Sequence, residues 1–231
     1  MKPLRPLLSL AAATATLLTL TATSAEAATT YTPGGGPAVN LVNQGGISFT
    51  DTMTGDVLDC STLVLGGSVT SPGTSRPYAA EAGSLSAIDA GGAGSCWNAA
   101  YGASRVVPMG TWSLAVTGDA VGGVFPAKVS GIKFYADMTY CRFYVGGATD
   151  TATSPGTGWL TGTFDPATQE FTADTSPSGL VIATPPVGST CPLLGQAEDD
   201  PIEVSAASLT DPAVWKNVAP ASSSVLSISN P

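Results

Sequence analysis

The chain has 231 residues, with 8 Lys and Arg against 17 Asp and Glu and no histidine, for a formal net charge of −9 at pH 7. An acidic surface repels phosphate backbones and anionic lipid, which argues against a nucleic-acid or membrane-surface partner. Without imidazole, Ser-His-Asp and Cys-His nucleophilic sites and histidine-based metal centres are excluded, and no cofactor is expected.

Residues Met1–Ala27 carry the pattern of a secretory signal peptide. Lys2 and Arg5 make a positive start, Leu7 to Leu20 an apolar run, and Ala25-Glu26-Ala27 a small-x-small cleavage signal. The run is too short and too Thr-rich to span a bilayer, which takes about 20 apolar residues. No cysteine follows it for a lipid anchor. We expect cleavage after Ala27, a secreted protein and no membrane anchor. Removal of this segment leaves 204 residues with 6 basic and 16 acidic side chains. That length supports a sizeable core.

Residues 28–37 form a Thr/Pro/Gly-rich leader expected to be loosely ordered. Ala38–Val42 is a first short strand. Gly46–Asp51 and Val57–Leu65 flank a Thr54-Gly55-Asp56 turn and predict a hairpin. Thr70–Pro77 is a loop, Leu85–Ile88 alternates apolar and polar, and Gly91–Gly94 delivers Cys96-Trp97. Ser104–Val107 is a strand stopped by Pro108.

Thr111 to Gly147 concentrates the aromatic residues. Trp112, Leu114 and Val116 share one face of a strand. Lys128–Phe134 is read as the next, with Ile132 and Phe134 inward and Lys133 outward. Met138–Val145 is read as a third, continuous strand of the same meander. After a loop over Asp150–Gly158, Gly158–Phe164 and Glu170–Asp174 predict a hairpin around Asp165-Pro166. Leu180–Ala183 reads as a buried strand, Cys191–Gly195 as a short segment, Ile202–Ala206 as a strand and Val225–Ile228 as an edge strand.

This pattern of short strands gives an all-β fold: an antiparallel β-sandwich (or barrel) with two disulfides. We expect one β-domain over 38–210 and a C-terminal segment over 211–231. A weak echo of Cys60 and Gly66-Gly67 in Cys141 and Gly146-Gly147 suggests two related halves. Cys60, Cys96, Cys141 and Cys191 allow three pairings, and the sequential one, Cys60–Cys96 and Cys141–Cys191, is expected.

Gly94-Ser95-Cys96-Trp97 imitates the nucleophile signature of papain-like proteases, but its upstream cysteine and its histidine partner are both missing. Paired carboxylates are the surviving catalytic option, from Asp119, Asp137, Glu170, Glu198, Asp199 and Asp200, and no spacing selects a pair. Glu198-Asp199-Asp200 lacks a calcium-loop pattern and reads as a solvated loop. The glycine runs lack the Lys and helix of a phosphate loop. Trp97, Tyr101, Trp159 and Trp215 lie near loops and are the candidates for stacking on a sugar ring.

Leu58-Asp59-Cys60-Ser61, a second cysteine some 35 residues on, a Trp-x-Leu strand and a later cysteine pair flanking Phe164–Thr168 form a layout over residues 46 to 206. It resembles a group of exported proteins of high-GC Gram-positive bacteria. The resemblance implies a secreted β domain and transfers no functional residue. The expected function is a non-catalytic extracellular or envelope-associated β-domain protein of unknown ligand, with a glycan or an envelope component as candidate partner. The alternative is a glycan-active protein, either a carbohydrate-binding module or a His-free carboxylate hydrolase.

Overall fold

A computed structural model describes residues 28–218 and 224–230. The expected signal peptide, Met1–Ala27, lies outside them. The strands in chain order are β1 (Thr30–Gly36), β2 (Ala38–Asn43), β3 (Ile47–Asp51), β4 (Val57–Cys60), β5 (Val64–Val69), β6 (Arg76–Pro77), β7 (Glu81–Asp89), β8 (Cys96–Asn98), β9 (Gly102–Pro108) and β10 (Trp112–Val116). They continue with β11 (Phe125–Ile132), β12 (Phe134–Met138), β13 (Cys141–Gly146), β14 (Gly158–Asp165), β15 (Glu170–Ser178), β16 (Val181–Ile182), β17 (Ile202–Ala206), β18 (Val214–Asn217) and β19 (Ser224–Ser229). A short helix, α1 (Cys191–Leu194), precedes β17.

Sixteen of these strands divide between two antiparallel sheets. The upper one closes as a barrel in the order β10-β11-β14-β15-β18-β2-β5-β7. The lower one runs β16-β13-β12-β9-β8-β4-β3-β17. Its two ends also meet: Ile182 N–H donates to Asp200 O, Asp199 N–H to Ile182 O and Ile202 N–H to Leu180 O, each at 2.9 Å, beside a Val181–Pro201 bridge. The lower sheet is thereby drawn round into a second, barrel-like ring.

The order of strands shows how the two barrels are related. β2 runs on into β3, β4 into β5, β7 into β8, and β9 into β10. The same holds for β11 into β12, β13 into β14, β15 into β16, and β17 into β18. Each of eight passes of the chain contributes one strand to each barrel, and the passes follow one another in the same circular order in both. The molecule is one up-and-down meander of long staves, each interrupted at a common waist. One buried cluster, from Val39, Leu41 and Phe171 above to Phe49, Phe134 and Val204 below, fills both. Three smaller cavities measure ≈ 30, ≈ 20 and ≈ 10 Å³, far below the 300–1,000 Å³ of a typical small-molecule site.

Alternation explains why these segments become strands. In β9, Ser104 and Val106 are buried while Ala103, Arg105 and Val107 face out. In β8, Cys96 and Asn98 are buried and Trp97 is exposed. Both disulfides join the expected partners. Cys60 and Cys96 sit opposite each other on β4 and β8, with Cα atoms 3.9 Å apart. Cys141, at the start of β13, reaches Cys191 in α1, with Cα atoms 4.9 Å apart.

Several sequence expectations need correction. The leader is ordered: β1 pairs with β19 and β6 in a three-stranded sheet over the end of the upper barrel. Tyr31 of β1 is fully buried with Val116 and Phe125. The C-terminal segment belongs to the fold, because β18 completes the upper barrel. β19 is held by the buried Gln169 side chain, which donates to Leu226 O and accepts from Leu226 N–H, both at 2.8 Å. The expected strand over 138–145 is a hairpin that reverses at Thr139–Tyr140, with Tyr140 at φ 61° and Met138 opposite Cys141. Lys133 interrupts the expected strand over 128–134 and is 1 % exposed, not outward in solvent. The 147–157 segment covers it, and its ammonium donates to Thr151 O and Ser154 O and lies 5.6 Å from the Tyr144 ring centroid.

Candidate functional site

Outward-facing residues of the lower barrel build an open groove of ≈ 620 Å³. Its floor and walls come from Ala103 and Arg105 on β9, Asp137 on β12, Tyr140 in the reversal, Arg142 on β13 and Val187–Ser189. Register places these groups. Asp137 of β12 lies directly opposite Arg105 on one side and Arg142 on the other. The 183–190 segment adds a bridge from Val187 to Arg142.

The three charged side chains interlock. Arg105 donates through Nε to Asp137 Oδ2 at 2.8 Å, and its Nη2 stands at 2.8 Å from the same oxygen. Arg142 Nε donates to Asp137 Oδ1 at 2.9 Å. One carboxylate thus serves two guanidinium groups, leaving a local charge of +1. Nη1 of Arg105 and both Nη groups of Arg142 have no protein partner among the described residues. Tyr140, 72 % exposed, projects beside them.

Trp97 flanks the groove. It sits opposite Ala103 across the β8–β9 ladder, is 58 % exposed, and rests its ring edge near Gly102, where an added Cβ would lie 3.5 Å from the indole.

The other stacking candidates are placed differently. Trp215 is 2 % exposed, and its indole N–H donates to Leu63 O at 2.9 Å, so it is a core residue with no face for a ligand. Trp159 is half-buried, with Gly179 backbone against its ring and Lys128 Nζ 4.4 Å from its centroid. Tyr101 is half-buried against the core, and its hydroxyl donates to Thr190 O. The structure does not bring the four together; Trp97, opposite the groove residue Ala103, and Tyr101, whose carbonyl accepts from Thr139 Oγ1, adjoin the groove wall without lining it.

The candidate carboxylates are also dispersed. Asp119 accepts from Tyr78 and Asn230, Glu170 pairs with Lys216 at 3.2 Å, and Glu198 and Asp199 are exposed on the loop before β17. Asp200 accepts from Ala197 N–H at 2.6 Å. Among the described residues, no group of three or more His, Cys, Asp or Glu is arranged to hold a metal.

Sequence reading missed a different acid pair. Asp51 ends β3, and Asp56 closes the hairpin opposite it through Asp51 N–H to Asp56 O at 2.9 Å. Both continue the inward phase of Phe49 and Leu58 and line a ≈ 20 Å³ cavity at the lower barrel mouth. Asp51 is 2 % exposed, and its Oδ2 has no hydrogen-bond partner among the described residues. Asp56 accepts from Asn98 Nδ2 at 2.9 and 3.0 Å and from Gln196 Nε2 at 2.9 Å. Burial pushes the Asp56 carboxyl above its ordinary value of 3.8; the Asn98 and Val57 hydrogen bonds oppose the rise and the Asp51 charge adds to it. The signal was available in the phase, since Asp51 follows Ile47 and Phe49 at every second position.

The raised value has a defined sign. The folded state holds the Asp56 proton more tightly than the unfolded state, so this group favours folding most below the unfolded value near 3.8 and loses that contribution as pH rises through the folded value. Asp56→Asn mimics the protonated form. Its urea midpoint, relative to the parent, is expected to be highest at neutral pH and to fall back as the pH drops toward 4. A gap that widens on acidification contradicts the assignment.

Searches of family models, of curated proteins and of solved structures find no match to this chain.

Proposed function

We propose that the chain is an exported, non-catalytic binding protein that seats a saccharide in the lower-barrel groove. The exposed Trp97 and Tyr140 rings at the groove carry this reading. An aromatic face offers a flat apolar platform with a negative quadrupole to the C–H face of a sugar ring, while polar neighbours satisfy its hydroxyls. Two buried disulfides fit an oxidising compartment, and Met1–Ala27 has the character of a cleaved signal. No helix among the described residues is long and apolar enough to cross a membrane.

The hydrolase alternative fares less well on geometry. Asp51 and Asp56 face each other, but their ≈ 20 Å³ cavity has room for one water and none for a sugar ring. Asp137 opens on the groove, but arginines occupy both of its oxygens.

A saccharide array probed with residues 28–231 tests the reading. Binding is expected, weakened about ten-fold in Trp97→Ala, the size of one aromatic contact. Binding that is indifferent to both Trp97→Ala and Tyr140→Ala would remove the groove as the seat.

A further inference from the structure

Charge is unevenly spent in this protein. Six Lys and Arg side chains lie in the described residues, and four are occupied away from the groove. Arg76 donates to the carbonyls of Thr70, Ser71, Thr74 and Glu81. Lys128 covers Trp159, Lys133 is buried under the 147–157 segment, and Lys216 pairs with Glu170. Arg105 and Arg142 are the two that stand together, 45 % and 60 % exposed in their side chains, with guanidinium N–H groups still unsatisfied by protein.

Asp137 positions this pair. It pins both Nε groups, so the forks are held in place instead of sweeping solvent, and less entropy is lost when an anion binds. It cancels only one of the two positive charges. A planar carboxylate matches the fork geometry of a guanidinium and forms charge-assisted hydrogen bonds with it. Tyr140 lies two residues before Arg142, and Trp97 is the diagonal neighbour of Arg105 across the β8–β9 ladder, about 7–8 Å away at Cβ, with its indole leaning over Gly102.

The geometry points to a saccharide carrying a carboxylate, a uronate unit, as the ligand, with its acid group on Arg142 and Arg105 and its ring faces on Tyr140 and Trp97. This rests on the saccharide reading above and adds the charge to it. The net charge of −9 shapes the recognition. Beyond about one Debye length, roughly 8 Å, salt screens the protein's overall repulsion of an anion, so the arginine pair acts on an acid group only once the two are in contact.

The experiment compares trigalacturonate with its methyl-esterified form by isothermal titration against residues 28–231, Arg142→Gln and Trp97→Ala. Esterification keeps the rings and removes the charge. The acid form is expected to bind about ten-fold or more tighter than the ester, the size of a charge-assisted contact. Arg142→Gln should abolish that preference with an unchanged urea midpoint, and Trp97→Ala should weaken both forms equally. Equal binding of acid and ester, or a preference that survives Arg142→Gln, overturns the uronate inference while leaving a saccharide seat standing. Binding of neither form overturns the inference, and the array then decides the broader reading.

Discussion

Trp215→Ala is expected to cost about 3–5 kcal/mol and to leave a single unfolding transition for the whole molecule. Trp215 sits at the waist on β18. Its ring is 6.0 Å from Phe171 of the upper barrel, and it borders a ≈ 10 Å³ void shared with Phe49 and Val204 of the lower barrel and Trp112 and Leu160 of the upper. Truncation leaves a cavity too apolar to fill with water and strips Leu63 O of its donor. Because every stave passes from one barrel to the other, damage at the waist propagates both ways. Urea unfolding followed by near-ultraviolet circular dichroism and by amide signals from each barrel measures this. Two separable transitions would show that the barrels fold independently.

Removing either disulfide is expected to cost about 4 kcal/mol, from loop-closure entropy over separations of 36 and 50 residues. The two should differ in what else they do. Cys60→Ser with Cys96→Ser takes out a link between ladder partners that backbone hydrogen bonds already join, so binding should follow stability alone. Cys141→Ser with Cys191→Ser frees α1 and the segment before it, which supplies Val187–Ser189 to the groove. That variant should lose saccharide affinity under conditions where it remains folded. Ligand titration below the unfolding midpoint separates the outcomes, and equal affinities in both variants would mean that the segment does not shape the groove.

Much of the fold was legible because two-residue periodicity is a local property. The phase of Trp112, Leu114 and Val116 named a buried face correctly, and Asp165-Pro166 marked its hairpin. Errors occurred where a distant segment changed the meaning of a residue. Lys133 has the outward phase of a solvated lysine, yet residues 147–157 fold over it and supply the carbonyls that solvate its ammonium. Tyr140 reads as a strand residue, but the chain reverses there so that Asp137 meets Arg142. The Thr/Pro/Gly composition of 28–37 looked like a tether, and it became a strand because β19 arrived from the far end of the chain.

The groove was less legible. Trp97 stood out as an aromatic residue near a loop, but Arg105, Asp137 and Arg142 have no unusual spacing along the chain. They meet because antiparallel register sets β12 between β9 and β13, and register depends on all the staves closing together. The Asp51–Asp56 pair lay on view in the phase set by Ile47 and Phe49, but Asp56 sits in the Thr54-Gly55-Asp56 turn and joins the interior only through distant partners, Asn98 and Gln196.

Composition and periodicity alone determined that this is an acidic, β-rich chain with four cysteines and no imidazole, while the structure selected the sequential disulfide pairing from three possibilities. Those properties reside in single residues or in neighbours two apart. Only the tertiary structure decided that the strands close into two barrels sharing eight staves, and that two arginines, one aspartate and two exposed rings surround one groove. Such arrangements depend on which strands become neighbours, and closing the ring of hydrogen bonds selects those neighbours across the entire chain.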